Sequence, residues 1–195
     1  MDKYGDPEWK YHVTIAKIWS LLAARLVESP IIPFSAATYA TKLQSYLGGV
    51  HEKCSPVWTS DDCTSLLRPV ADALASLVGV ATFFDSRAEQ LRVELGRRRI
   101  PWWKWWEKWR LYAKVRAVNA GYRGLERQFL HQPGLDRRPW FKHIVFAPGY
   151  WTGYSGAVFP GIAEGLESED WESTRRWVGV VQTAVQRATA FLDSI

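Results

Sequence analysis

The fold is decided by residues 67–95, which read LRPVADALASLVGVATFFDSRAEQLRVEL. Apolar side chains recur in this stretch at alternating steps of three and four residues. They are Leu67, Val70, Leu74, Leu77, Ala81, Phe84, Ala88, Leu91 and Leu95. Such a heptad-like seam predicts one long helix that packs lengthwise against another helix at a shallow angle. Pro69 either marks the start of this helix or kinks it just inside its start.

Two helices are predicted before this one. Asp6 is a suitable N-cap with Pro7 at the first helical position, and Pro30 ends the first helix. Its apolar face carries Ile15, Ile18, Trp19, Leu22 and Leu26. Ser35 caps a shorter second helix, which Gly48 and Gly49 are expected to close. That helix carries Tyr39, Leu43, Tyr46 and Leu47.

Two further helices are predicted after it. A break between Gly96 and Ile100 precedes a helix over residues 101–127, so that the pair forms either an antiparallel hairpin or one long bent helix. The last helix is expected from Asp170 to Leu192. Its apolar stripe is Val178, Val181, Val185, Ala188 and Leu192. With a short peripheral strand at 144–146, the pattern predicts a mainly α protein, a four- to five-helix bundle forming a single domain over residues 1–195.

The net charge of the 195-residue chain is +5, and it is concentrated in one place. Residues 97–110, here called the Trp-rich tract, read RRRIPWWKWWEKWR and hold six cations against Glu107, which by itself gives +5. Packing of the tryptophans on the bundle or on a neighbouring domain is the simplest interpretation, with the cations in solvent. Contact with a membrane surface is the alternative, and a nucleic-acid partner is not predicted. Trp103 lies off the main stripe, and it is the tryptophan expected to be exposed.

This tract is therefore a candidate membrane or interface patch. Its proposed members are Trp102, Trp103, Trp106, Lys104 and Lys108.

Cys54 and Cys63 are the only cysteines, and they lie in a segment rich in Ser, Thr, Asp and Pro. They are either two free thiols or a disulfide formed in an oxidising compartment. Two cysteines without a nearby pair of further ligands do not make a zinc site. The four histidines, His12, His51, His131 and His143, show no H-E-x-x-H spacing, and no Ser-His-Asp set, P-loop or G-x-G-x-x-G pattern is present.

A second informative stretch runs from Trp140 to Ile162. It reads as a buried strand, a loop rich in glycine and aromatic residues, and the start of a helix. Glycine lets the backbone approach closely, while tyrosine supplies a polar tip. The order F-K-H-I-V-F-A-P, G-Y-S-G and F-P-G-I resembles the C-terminal domain of the glutamate carboxypeptidase and prostate-specific membrane antigen family, usually called the transferrin receptor-like dimerisation domain.

Further similar segments follow in the family's order over nearly the whole chain. They are Y-G-D-P at 4–7, W-K-Y-H-V-T-I-A at 9–16, P-I-I-P-F at 30–34, Y-A at 39–40, E-R-Q-F at 126–129 and G-L-D-R-R-P at 134–139. The resemblance implies that the chain is a piece of a larger peptidase-like protein. Arg123-Gly124-Leu125 departs from the Arg-Gly-Asp sequence of the receptor branch, so the peptidase branch is favoured.

In that branch, a lysine–tyrosine pair of the loop contacts the C-terminal residue of the substrate. Tyr154 is similar to that tyrosine, whereas Gly153 stands at the lysine position, and Gly156 is expected to help shape the loop. A charge-assisted contact of about 1.5–3 kcal/mol is then missing, so selectivity for C-terminal glutamate does not follow.

The resemblance further implies a chain without catalytic residues or zinc, within a parent that holds two zinc ions and lies in a membrane-anchored, vacuolar or secretory setting. Its partners would be a second copy of itself and the parent's protease domain. The helices expected to pair or pack carry Leu74, Leu77, Phe84, Leu91, Val178, Val181 and Val185. Two alternatives remain: a free-standing helical scaffold, and a membrane-surface module that uses the Trp-rich tract.

Overall fold

The computed structural model describes residues 5–97, 100–150 and 156–195. Six α-helices and two short strands lie in these residues. The helices are α1 (Lys10–Glu28), α2 (Ala36–Cys54), α3 (Ser60–Arg97), α4 (Trp105–Leu125), α5 (Pro160–Glu167) and α6 (Trp171–Asp193). Strands β1 (Phe146–Pro148) and β2 (Gly156–Val158) pair antiparallel. The mainly α fold class is therefore confirmed, and the small sheet has one strand more than predicted.

Contacts divide the chain into two compact units, Met1–Phe34 and Ser35–Ile195. In the first unit a single 3-10 turn, Pro7–Trp9, precedes α1. The buried Asp6 caps α1 across this turn, because its carboxylate accepts the N–H groups of Tyr11 at 2.8 Å and His12 at 3.0 Å. The predicted apolar face of α1 is present, but none of the α1 side chains is buried.

The second unit is built on α3, which packs against both α2 and α6. Every predicted seam residue of α3 from Leu67 to Leu91 is buried, and only Leu95 lies outside the core. The predicted stripe of α6 is buried in the same way. Pro69 lies inside α3 and not at its start, since the helix begins at Ser60.

Several predicted boundaries were wrong. Gly48 and Gly49 do not end α2, which continues for five more residues to Cys54, because Val50 and Cys54 stay on the face buried against α3. Helix α4 begins at Trp105 and not at residue 101. The strand predicted at 144–146 begins only at Phe146, preceded by the buried Ile144 and Val145.

The chain turns back between α3 and α4, as the hairpin alternative predicted. Phe84 contacts Tyr122, and farther along α3 Leu91 faces the earlier α4 residue Val118, so the two helices run antiparallel. Asp85 joins three helices at this level. Its carboxylate accepts the backbone N–H groups of Ala36 and Ala37, each at 3.0 Å, and the Tyr122 hydroxyl at 2.9 Å.

An 18-residue window of α3 reaches a mean hydropathy of 1.5, so this helix alone among the described ones is long and apolar enough to cross a bilayer. This property of α3 rests on its length and composition alone. Helices α2 and α6 cover the apolar seam of α3, as expected for the core helix of a helical bundle.

Cys54 at the end of α2 and Cys63 in the first turn of α3 form a disulfide, with 5.9 Å between their Cα atoms. The bridge decides between the two alternatives that the sequence left open. Closing a loop of this length stabilises the folded chain by about 3 kcal/mol in the chain-entropy treatment.

Candidate functional site

The loop predicted to contact substrate is flanked by the two strands of the small sheet. Pro148 of β1 stands opposite Gly156 of β2, so the two ends of the loop lie side by side. Gly153 and Tyr154 lie outside the described residues. Gly156 is exposed, and a Cβ atom added to it would meet nothing within 4 Å, so its described surroundings impose no steric need for glycine.

Arg138 holds the first side of this hairpin. The residue is only 8% exposed, and its Nη1 donates to the carbonyl oxygen of Pro148 at 2.6 Å. Its Nη2 donates to the Glu164 carboxylate in a short ion pair, which links β1 to α5. The guanidinium also lies 5.3 Å from the centre of the Tyr150 ring. The Arg138 guanidinium therefore contacts Pro148 at the start of the loop, the Tyr150 ring and Glu164 of α5. Pro148 and Gly156, which stand opposite each other at the two ends of the loop, are here called the loop base.

The carboxyl group of Glu164 titrates above its ordinary range. Burial raises its pKa, and this outweighs the opposing attraction of the Arg138 guanidinium. The Nε atom of Arg138 is buried and has no hydrogen-bond partner. Both charged groups of this ion pair have therefore lost much of their contact with water. Such a pair is strongly destabilising when one of the two partners is removed.

Asp136 lies in the same turn as Arg138, which spans residues 134–141, and it forms a second set of contacts. Its Oδ2 accepts the indole N–H of Trp177 at 2.8 Å, and Arg176 donates to both carboxylate oxygens. Burial alone would raise the pKa of Asp136, but the hydrogen bonds from Arg176 and Trp177 hold it below its ordinary value. Trp177 in turn packs on Gly161, where an added Cβ would lie 2.2 Å from the indole ring. Asp136 and Arg138 therefore fix the turn against α6 and α5.

A cleft of about 180 Å³ opens between these groups, lined by Asp136, Arg137, Tyr150, Glu164 and Trp177 among others. Pockets for small organic ligands usually occupy about 300–1,000 Å³. The cleft is smaller than that, and the carboxylates of Asp136 and Glu164 are already paired with Arg176 and Arg138. The arrangement supports a rigid base for the loop, not a separate ligand site.

None of the residues predicted for the site is among Asp136, Arg138, Glu164 and Trp177. The G-L-D-R-R-P segment at 134–139 contributes to the family resemblance alone. Two consecutive arginines beside an aspartate and a glycine are an available signal of a charged turn. Their partners on α5 and α6, however, lie 26 to 41 residues away along the chain.

The histidines stand apart from one another. His12 pairs with Asp6, and the His51 Nε2 lies 3.1 Å from the Thr64 hydroxyl. His143 Nε2 lies 2.9 Å from the Glu126 carboxylate, and its Nδ1 accepts the Phe146 N–H. Burial lowers the pKa of His131, beside Trp177, with the Arg176 and Arg187 charges acting in the same direction.

Over residues 5–97, 100–150 and 156–195, no three His, Cys, Asp or Glu side chains gather as metal ligands. A two-zinc peptidase centre needs several such groups around each ion together with a bridging carboxylate. The donor groups of the described residues therefore do not fit the zinc pair that the resemblance implies for the parent.

The side chains expected at the pairing helices lie inside the chain. Leu74, Leu77, Phe84 and Leu91 of α3 are buried, as are Val178, Val181 and Val185 of α6. These residues build the core of the second unit. Any pairing through α3 and α6 would use their other faces.

The tryptophans of the Trp-rich tract are all exposed, from 47% for Trp106 to 85% for Trp102. The interpretation that they pack on the bundle is wrong for the described residues, because the buried face of α4 begins only at Leu111. Packing on a neighbouring domain stays a prediction. Trp103 is 57% exposed, so the prediction that it is exposed is confirmed, although the other tryptophans of the tract are exposed as well.

Several known proteins are similar in sequence to nearly the whole of this chain. The sequence profile of the transferrin receptor-like dimerisation domain matches residues 66–193. "Probable glutamate carboxypeptidase LAMP1" of Arabidopsis thaliana is 25% identical over 199 residues, covering 98% of this chain and 26% of that protein. "Vacuolar protein sorting-associated protein 70" of Saccharomyces cerevisiae is 27% identical over 186 residues, covering 93% of this chain and 22% of its own length.

An "inactive zinc metalloprotease" of Schizosaccharomyces pombe is 23% identical over 189 residues, covering 96% of this chain and 22% of its own length. The chain thus spans about a quarter of the length of these relatives. The resemblance drawn from the sequence motifs is confirmed. Because the profile match covers well over half of its residues, the chain belongs to the transferrin receptor-like dimerisation domain family.

Proposed function

We propose that this chain is a non-catalytic dimerisation and substrate-loop domain that works beside the zinc peptidase segment of a glutamate-carboxypeptidase-like protein. The observation that carries the proposal is the anchoring of the loop base. Arg138 holds the Pro148 carbonyl, and the β1–β2 pairing holds Gly156 opposite it. A loop fixed at both ends on a rigid helical support suits a side chain that must meet a substrate in one geometry.

The substrate contact is assigned to Tyr154, by its similarity to the tyrosine of the family's loop. Its hydroxyl can donate a hydrogen bond to a substrate carboxylate. With Gly153 at the neighbouring lysine position, the contact lacks an ammonium partner. The proposed substrate class is therefore a peptide read at its C-terminal residue, without a requirement for glutamate.

Self-association is assigned to the outer faces of α3 and α6. An open groove of about 670 Å³ lies between them and is lined by small and polar side chains such as Ser76 and Ala190. Arg68 and Asp72 bring both signs of charge to its edge, 3.9 Å apart. A two-fold interface places one surface against itself, and a surface with both signs can be self-complementary.

The disulfide supports a proposal for the cellular compartment of the parent protein. Disulfides persist in oxidising compartments, so the Cys54–Cys63 bridge agrees with a vacuolar, secretory or cell-surface location. A relative whose name refers to vacuolar protein sorting points the same way.

We expect the purified chain to be a dimer at tens of micromolar and to hydrolyse no dipeptide when zinc is supplied. Ser76→Arg, which places a long cation in the groove, should shift it to a monomer in sedimentation velocity. Ser86→Arg, on an exposed position of α3 outside the groove lining, is the matched control and should leave the dimer intact. A wild-type monomer, or a dimer indifferent to Ser76→Arg, would contradict the pairing surface. Zinc-dependent hydrolysis would contradict the non-catalytic role.

The loop assignment is tested in the polypeptide that contains the proposed peptidase segment. Tyr154→Phe should lower kcat/KM for release of a C-terminal residue by about 10- to 100-fold, because a hydrogen bond to a charged group is worth about 1.5–3 kcal/mol. Tyr112→Phe, at an exposed tyrosine of α4, should change it less than about twofold. Equal activity of both variants would remove Tyr154 from the site and favour a scaffold role for the domain.

A further inference from the structure

The Trp-rich tract, together with Tyr112 just after it, exposes aromatic side chains that the described residues leave uncovered. Six large aromatic side chains lie within eleven residues, and none of them is buried. They are Trp102, Trp103, Trp105, Trp106, Trp109 and Tyr112. Trp102 contacts Trp103 edge to face, and Trp105 contacts Trp106 in the same way, so four of the rings form two contacting pairs. Exposed aromatic patches of this kind mark interaction surfaces.

The register of α4 explains why the described residues leave the aromatic side chains of this helix uncovered. At about 100° per residue, Trp105, Trp106, Trp109 and Tyr112 fall on one side of the helix. The buried stripe of Leu111, Val115 and Val118 falls roughly 150° away, nearly opposite. Between Leu91 and Leu111, no described side chain is buried. A partner that covers the aromatic face of α4 must therefore come from outside residues 91–111.

The charges at the patch restrict what that partner can be. Lys108 and Arg110 flank the aromatic face of α4 on its two sides, and Arg97 ends α3 close to it in sequence. Glu107 is the single acid of the tract, and it is already paired with Lys104 at 3.0 Å. The partner must therefore be anionic and must also accept apolar ring surface.

A second copy of the tract does not meet that requirement. A two-fold contact would place like charges against one another, at a cost that the aromatic contacts would have to overcome. Stacking on bases needs free ring faces in sequence, whereas here neighbouring indoles meet edge to face. A helix with an aromatic face bordered on both sides by cations fits the headgroup region of a bilayer, where indoles and lysines are both favoured.

The geometry points to the Trp-rich tract as a site that binds the surface of an anionic lipid bilayer. Helix α4 would lie in the plane of the headgroups, with its indoles at the acyl boundary and its cations at the lipid phosphates or carboxylates. This surface is separate from the α3–α6 groove and from the loop base. It would place the chain beside a membrane regardless of whether another segment anchors the protein.

The test is co-sedimentation of the purified chain with vesicles. Phosphatidylcholine vesicles containing about 30% phosphatidylserine should bind it, and phosphatidylcholine vesicles should bind it at least about tenfold more weakly. The test variant combines Trp102→Ser, Trp105→Ser and Trp109→Ser. The matched control removes three exposed indoles elsewhere, by Trp9→Ser, Trp19→Ser and Trp140→Ser.

Binding of the test variant should fall at least about tenfold, and that of the control less than about twofold. Circular dichroism should show the same helix content in all three proteins, because none of the six side chains is buried. Absence of binding by the wild-type chain at low salt would overturn the proposal. So would equal losses in the two variants, or binding of single-stranded DNA that exceeds binding of the anionic vesicles.

Discussion

Replacing Arg138 by methionine is expected to lower the free energy of unfolding by about 3 kcal/mol or more. The substitution keeps most of the side-chain volume but leaves the Glu164 carboxylate without its cation and the Pro148 carbonyl without its donor. Breaking one half of an ion pair whose side chains are only 9% and 20% exposed costs more than the pair contributes, because the remaining charge stays partly desolvated. Urea unfolding followed by circular dichroism measures the change.

The neighbouring arginine provides the control. Arg137 is exposed and adjacent in sequence, so Arg137→Met should change the free energy of unfolding by less than about 0.5 kcal/mol. The double variant Arg138→Met with Glu164→Leu should recover at least half of the loss, since it removes both charges. If Arg138→Met does not fold, recovery of folding in the double variant remains a test. Equal effects at Arg137 and Arg138 would show that the ion pair does not hold the loop base.

The faces of the long helices could be predicted from the sequence, and their ends could not. The seam of α3 and the stripe of α6 follow from periodicity, which depends only on which side chains must leave water. The end of α2 does not, because a glycine pair favours termination locally while the burial of Val50 and Cys54 favours continuation. Packing outweighs that local preference. Pro69 is tolerated within α3 for a related reason, since the packed helix extends on both sides of it.

The contacts that hold the site could not be predicted in this way. Arg138 meets Glu164, and Asp136 meets Trp177, only after three separate elements have packed. Asp85 is similar, for it sits in the middle of α3 and caps the start of α2 from 49 positions away. The Trp-rich tract is a different case. The exposure of its indoles on α4 follows from their register with the Leu111–Val115–Val118 stripe, a pattern that the sequence already contains.

Gly134→Ala is expected to destabilise the chain by about 3 kcal/mol or more. Gly134 has φ +80, a backbone conformation that an alanine adopts only with strain. An added Cβ would also lie 2.2 Å from the carbonyl oxygen of Pro139, a backbone atom that cannot rotate away. The turn is closed by the hydrogen bond from the Leu135 N–H to the Phe141 carbonyl at 2.9 Å, so it cannot open without losing that contact. Urea unfolding gives the loss of stability directly.

This glycine matters to the site because the turn that it permits carries both Asp136 and Arg138. A distorted turn should move Asp136 away from the Trp177 indole, and the Nε1–H resonance of Trp177 should shift in an NMR spectrum of the folded variant. Gly48→Ala is the control, because it lies on an exposed position of α2 with nothing within 4 Å of an added Cβ. It should stabilise the chain by up to about 1 kcal/mol, through helix propensity, and leave the Trp177 resonance in place. A Gly134→Ala variant as stable as the wild type would mean that the turn adopts another backbone path, and the anchoring of the loop by Arg138 would then need a different geometry.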